Sequence, residues 1–128
     1  MMQKESGFIR GRVQAFKHAF NGVGILFTEE ANSKVQVVLA LVALVMGYFL
    51  HISPMEWIAL CVVIGLVFAM EAMNSAIENL SDFTCNERFE ESIKKTKDLS
   101  AAAVLFTAIA ALITGLIIFL PKLLNLYF

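Results

Sequence analysis

The stretch "WIALCVVIGLVFAMEAMNSAIENLSD", Trp57 to Asp82, decides how this chain folds. Its first half is an unbroken apolar run ending at Met70. That run is too short to cross a bilayer, which takes roughly 20 helical residues. It must continue as the same helix through Glu71 and beyond, carrying polar side chains to membrane depth. Such groups are costly in lipid and mark functional sites. Glu71, Asn74, Ser75, Glu78 and Asp82 stand at i, i+3, i+4, i+7 and i+11, so they share one helical face. Glu71 is 14 residues past Trp57, or about 21 Å along a helix. If Trp57 marks one interface of a core about 30 Å thick, Glu71 lies about 9 Å inside the opposite edge. Glu78 then lies near that edge. One carboxylate near headgroup depth and another in contact with water suit a reaction between a lipid hydroxyl and a soluble reagent.

Two more apolar runs flank this one. "VQVVLALVALVMGYFLHI", Val35 to Ile52, is broken only by Gln36 and His51, and "LSAAAVLFTAIAALITGLIIFL", Leu99 to Leu120, carries no charge. Of 128 residues, 59% are apolar and 16% charged, against about half and about a quarter in soluble domains. This excludes a disordered chain, a collagen or an ordinary soluble enzyme, and it implies a membrane protein. No short apolar stretch with a small-residue cleavage site comes first, so all 128 residues are expected to persist. The net charge of −1 gives no basis for a nucleic-acid partner, and none is expected. Cys61 and Cys85, the second read as part of a polar loop, are expected to be free thiols. Pro121 marks a place for the third run to stop.

The predicted fold is all-α and integral to the membrane. A single domain covers 1–128, with a surface helix at about 8–28 and transmembrane helices at about 33–52, 57–80 and 98–120. The surface helix rests on Val13, Phe16, Phe20, Val23 and Phe27, which recur at steps of three and four. Arg12, Lys17 and His18 lie off that stripe, as on a helix lying in the headgroup region. Nine of the ten Lys and Arg residues precede the first run or lie between the second and third. The positive-inside rule therefore puts the N-terminus and loop 81–97 in the cytoplasm and the C-terminus outside. In a bacterium this is the inner, cytoplasmic membrane. Tyr48 and Trp57 would anchor the outer interface.

Glu29 and Glu30 stand at the same cytoplasmic boundary as Glu78. Carboxylates converging there would bind Mg²⁺, a hard cation that commonly bridges phosphates. Lys94, Lys95 and Lys97 would meet phosphate charge. Three readings of the stripe stay open on spacing alone: catalysis, a cation or proton site of a small transporter, and polar contacts that hold helices together. No G-x-x-x-x-G-K-[ST] occurs, so any use of ATP lies outside the usual folds. Ala101, Ala102, Ala103, Ala110, Ala111 and Gly115 suit close helix packing.

"EAMNSAIENLSD" resembles the E-x-x-N-[ST]-A-I-E-x-x-x-D signature of the small prokaryotic diacylglycerol kinase and undecaprenol kinase family. The resemblance extends to the surface helix, to "EEAN" before the first span and to "KD" opening the third. It implies an integral-membrane lipid kinase, unrelated to soluble kinases, working as a homotrimer with sites shared between subunits. The implied general base is Glu71, with Asn74 beside it. Glu30 and Glu78 are implied to hold Mg²⁺ with ATP. Lys97 and Asp98, Glu87, His18 and Arg12 are implied nucleotide contacts, with Arg10 the alternative to Arg12. Where members often carry Glu-Tyr-His, this chain has Glu87-Arg88-Phe89 in a loop about one residue longer. The expected reaction is phosphorylation of diacylglycerol to phosphatidic acid, and the alternative acceptor is undecaprenol.

Overall fold

The computed structural model describes residues 2–85 and 90–127. Four helices are described: α1 (Met2–Glu29), α2 (Ala31–Phe49), α3 (Pro54–Cys85) and α4 (Glu91–Tyr127). Three of them, Ala31–Phe49, Pro54–Cys85 and Glu91–Leu126, are long and apolar enough to cross a membrane. The chain is a helical multi-pass membrane protein. It divides into two compact units, Met1–Lys34 and Val35–Phe128.

In the first unit, α1 carries the expected apolar stripe. Phe8, Val13, Phe16 and Phe20 are each more than 60% exposed. A helix in water would not leave that stripe bare, whereas one lying in the membrane interface buries it among lipid. The Arg12 guanidinium lies 5.0 Å from the Phe8 ring centroid, one turn away, so a cation–π contact covers that ring. Glu30 alone separates α1 from α2. Ser33 holds this corner. It is fully buried, and its hydroxyl contacts the carbonyls of Leu26 and Glu30.

In the second unit, the short connections fold α2, α3 and α4 back on one another. The register of α3 against α4 is set at both ends of α3. At one end Glu56 pairs with Lys122 at 3.2 Å; at the other Asp82 pairs with Lys97 at 2.8 Å. α3 and α4 are therefore antiparallel over almost their whole length. Helix α3 runs 32 residues without a break, as the short apolar run required. Cys85 is its last residue rather than part of a loop, and both cysteines are free. The buried apolar core is at the end near the α2–α3 turn, where Ile52, Leu60, Ile118 and Phe119 come together.

That turn is built in detail. The amide of Ile52 donates to the Gly47 carbonyl and that of His51 to the Tyr48 carbonyl. These are the two bonds of a Schellman cap, with His51 in the left-handed position at φ 53°. The partner of the capping contact is Gly47, where an added Cβ would stand 3.0 Å from both Ile52 and Trp57. Helix α3 then opens on a capping box. The Glu56 amide donates to Ser53 Oγ, and the Ser53 amide donates to Glu56 Oε1. Pro54 sits at the first helical position, where its missing N–H costs nothing.

The expectation that α4 stops at Pro121 is corrected: the helix continues to Tyr127 with Pro121 inside it. Proline forfeits one helical hydrogen bond, yet the following turn is tied down. Lys122 reaches Glu56, and Leu123 packs on the core.

Two substitutions test this turn. His51→Gly relieves the left-handed residue and should raise stability in detergent by about 1 kcal/mol. Gly47→Val should lower it by about 1–3 kcal/mol through overpacking against Ile52 and Trp57. Thermal midpoints by circular dichroism check both. Equal midpoints for Gly47→Val and the parent would show that the contact is loose.

Candidate active site

The polar face of α3 is built as its spacing predicts, and its partners come from α2 and α4. Glu71 is only 2% exposed. Its Oε2 accepts a hydrogen bond from Gln36 Nε2 of α2 at 3.3 Å. One turn on, Asn74 Nδ2 donates to Glu78 Oε1 at 3.3 Å, and Asn74 Oδ1 accepts from Ser100 Oγ of α4 at 2.7 Å. A turn further, Lys97 Nζ meets Asp82 Oδ1. Burial falls along the stripe, from buried Glu71 through half-buried Asn74 and Glu78 to exposed Asp82. A carboxylate at the buried end and an ion pair at the exposed end mark a gradient from apolar to wet surroundings.

α2 and α4 flank the face that carries Glu71, so one chain covers it. Asn74 and Glu78 remain partly open.

Two buried polar atoms in this region have no hydrogen-bond partner: Gln36 Oε1 and Ser75 Oγ. Gln36 also lines an apolar cavity of about 500 Å³ between α2, α3 and α4. The cavity reaches from Gln36 past Ala40, Val67 and Leu112 to Phe119. Its volume falls within the range of about 300–1,000 Å³ usual for small-molecule sites.

The expected residues fall into two groups. Glu71, Asn74 and Glu78 occupy successive turns of α3. Of the pair opening the third span, Lys97 joins them through Asp82, whereas Asp98 pairs with Lys94 at 2.6 Å on the exposed face of α4. Arg12, His18 and Glu30 belong to the first unit. Arg10, Arg12 and His18 are exposed on α1, and half-buried Glu30 sits at the corner before α2. Glu87, with Arg88 and Phe89, lies outside the described residues. Sequence reasoning did not assign roles to Gln36 and Ser100. The only available signal was that each is a polar group in an otherwise apolar run.

A buried carboxylate held by an amide thus stands beside an apolar cavity and leads to charged groups at one end of the helices. The sequence pattern of Prokaryotic diacylglycerol kinase matches residues 17–119. The undecaprenol kinase of Bacillus subtilis is 34% identical over 110 residues, covering 86% of this chain and 89% of that protein. The diacylglycerol kinase of Escherichia coli is 30% identical over 118 residues, covering 92% and 95%. That of Synechocystis is 32% identical over 112 residues, and the match spans 88% of this chain but only 64% of the relative. This chain belongs to the prokaryotic diacylglycerol kinase family. It is a membrane kinase, which decides against the transporter reading.

The Gln36–Glu71 contact can be tested without assaying the reaction. Gln36→Leu leaves a buried carboxylate without its donor and should destabilise by about 1–3 kcal/mol. Adding Glu71→Leu replaces both partners by apolar groups and should restore most of that loss. Denaturation of the single and double variants in detergent reads this out. No recovery in the double variant would mean that Gln36 acts through packing.

Proposed function

We propose that this protein transfers the γ-phosphoryl group of ATP to the hydroxyl of a membrane lipid alcohol, converting diacylglycerol to phosphatidic acid. The observation that carries the reading is Glu71, buried within the second candidate span and bonded to the Gln36 amide that lines the apolar cavity. The cavity suits the apolar chain of the acceptor and brings its alcohol toward the carboxylate. Undecaprenol is the second acceptor to consider, on the similarity to the Bacillus subtilis enzyme.

In this mechanism Glu71 takes the proton of the lipid hydroxyl. The hydroxyl oxygen bonds to the γ-phosphorus as the bond to the bridging oxygen breaks, and ADP leaves. Asn74, beside the base, orients the carboxylates around the transfer. Glu78 and Glu30 are the carboxylates we assign to Mg²⁺. The donor set fits: Mg²⁺ keeps several waters and is commonly held by one or two carboxylates together with phosphates. Among the described residues no three His, Cys, Asp or Glu side chains come together, so the ion would enter with ATP. Bound there, Mg²⁺ supplies neutralisation of phosphate charge. Arg12, His18, Lys97, Asp98 and Glu87 are assigned to the nucleotide. ATP is cytoplasmic, so this end of the bundle, with the N-terminus and loop 81–97, lies on the cytoplasmic side of the inner membrane and the C-terminus outside. The protein works as a homotrimer with shared sites. The partial exposure of Asn74 and Glu78, and closed symmetry as the usual mode of association, support assembly.

Purified protein with radiolabelled ATP and each lipid in turn tests the reaction. Diacylglycerol should be labelled faster than undecaprenol; the reverse order would make this an undecaprenol kinase. Glu71→Gln should keep MgATP binding and lose turnover by about 10²–10⁴, the worth of a general base. Near-parental turnover would remove Glu71 from the mechanism. Glu71→Gln chains co-assembled with Glu30→Ala chains should regain activity if one site draws these residues from different subunits. Mixed trimers that stay inactive would put both residues in one subunit's site.

A further inference from the structure

We propose that Ser100 is a positioning residue that fixes which end of the Asn74 amide meets Glu78. The inference rests on the assignment of Asn74 and Glu78 to the kinase site. The two ends of an Asn amide differ: one donates and the other accepts. An ionised Glu78 only accepts, so the NH₂ must face it, as the Asn74 Nδ2 to Glu78 Oε1 contact requires. The carbonyl is then turned toward α4, where it needs a donor. Ser100 supplies one, with Oγ 2.7 Å from Asn74 Oδ1 and the residue only 7% exposed.

The competing use of the Ser100 proton is local. A helical serine can always bond a carbonyl of its own preceding turn, and here Lys97 O lies 3.0 Å away. A hydroxyl has one proton, and the contact to Asn74 is the shorter. Removing the hydroxyl takes away the donor on the α4 side and leaves the Glu78 contact alone to set the orientation of the amide. Glu78 then loses its donor for part of the time, and its carboxylate is no longer held in one pose for MgATP. The effect should fall on the nucleotide and spare the lipid.

The test uses Ser100→Ala and Ser100→Cys in the full-length protein. Cysteine keeps the size and offers only a weak donor, so it separates hydrogen bonding from packing. The KM for MgATP should rise roughly three- to tenfold in both variants, the range expected for one neutral hydrogen bond. The lipid KM should hold. In an Asn74→Ala background Ser100→Ala should add nothing, since the interaction is already gone. A readout independent of catalysis is the side-chain amide signal of Asn74 in ¹⁵N-asparagine-labelled protein, assigned by its loss in Asn74→Ala. That pair of resonances should shift and broaden in Ser100→Ala. Unchanged Asn74 resonances overturn the proposal, as does a KM effect that adds fully to that of Asn74→Ala. Parental behaviour of Ser100→Cys would assign the effect to packing. If the parent protein phosphorylates no lipid, the kinase reading fails, while the resonances still decide whether Ser100 holds the amide.

Discussion

Polar side chains on a helix that crosses a membrane must find partners within the protein, and this constraint organises the molecule. Helix α3 carries Glu71, Asn74, Glu78 and Asp82 on one face. Lipid cannot satisfy them, since an unmet polar group there costs several kcal/mol. α2 answers with Gln36, and α4 answers with Ser100 and Lys97. These contacts set the register of three helices whose remaining surfaces are nearly all apolar. In hydrocarbon, apolar surface alone does little to choose one register over another.

The bundle divides its labour along its length. At the α2–α3 turn it is closed by a Schellman cap, a capping box, a small apolar core and the Glu56–Lys122 pair. At the opposite end stand the polar contacts of the α3 stripe, and two buried polar atoms among the described residues, Gln36 Oε1 and Ser75 Oγ, go without partners. Sites of reaction commonly keep such unspent polar capacity. The buried apolar core thus lies away from the α3 carboxylates.

Much of this was legible in the residues. The three spans follow from hydropathy. The continuous α3 follows from an apolar run too short to cross without Glu71. The stripe follows from a period of 3.6 residues. The partners were not legible, because pairing Asn74 with Ser100 or Glu71 with Gln36 depends on register between helices, and no local pattern encodes that. His51 in a left-handed cap was equally hidden, since glycine is the usual occupant. The helix through Pro121 defeated a local rule because Lys122 and Leu123 are held by distant residues. The capping box at Ser53 and Glu56, by contrast, stands in the sequence as Ser-Pro-Met-Glu.

The central proposal is that Glu71, bonded to the Gln36 amide that lines an apolar cavity, is the reactive carboxylate. The most direct measurement is covalent labelling of the membrane-embedded protein with an apolar carbodiimide, with mass mapping of the modified carboxylate and kinase activity followed in parallel. The account predicts that modification of Glu71 and loss of activity advance together and that the lipid alcohol slows both. Full activity with Glu71 modified, or inactivation with Glu71 intact, would contradict it.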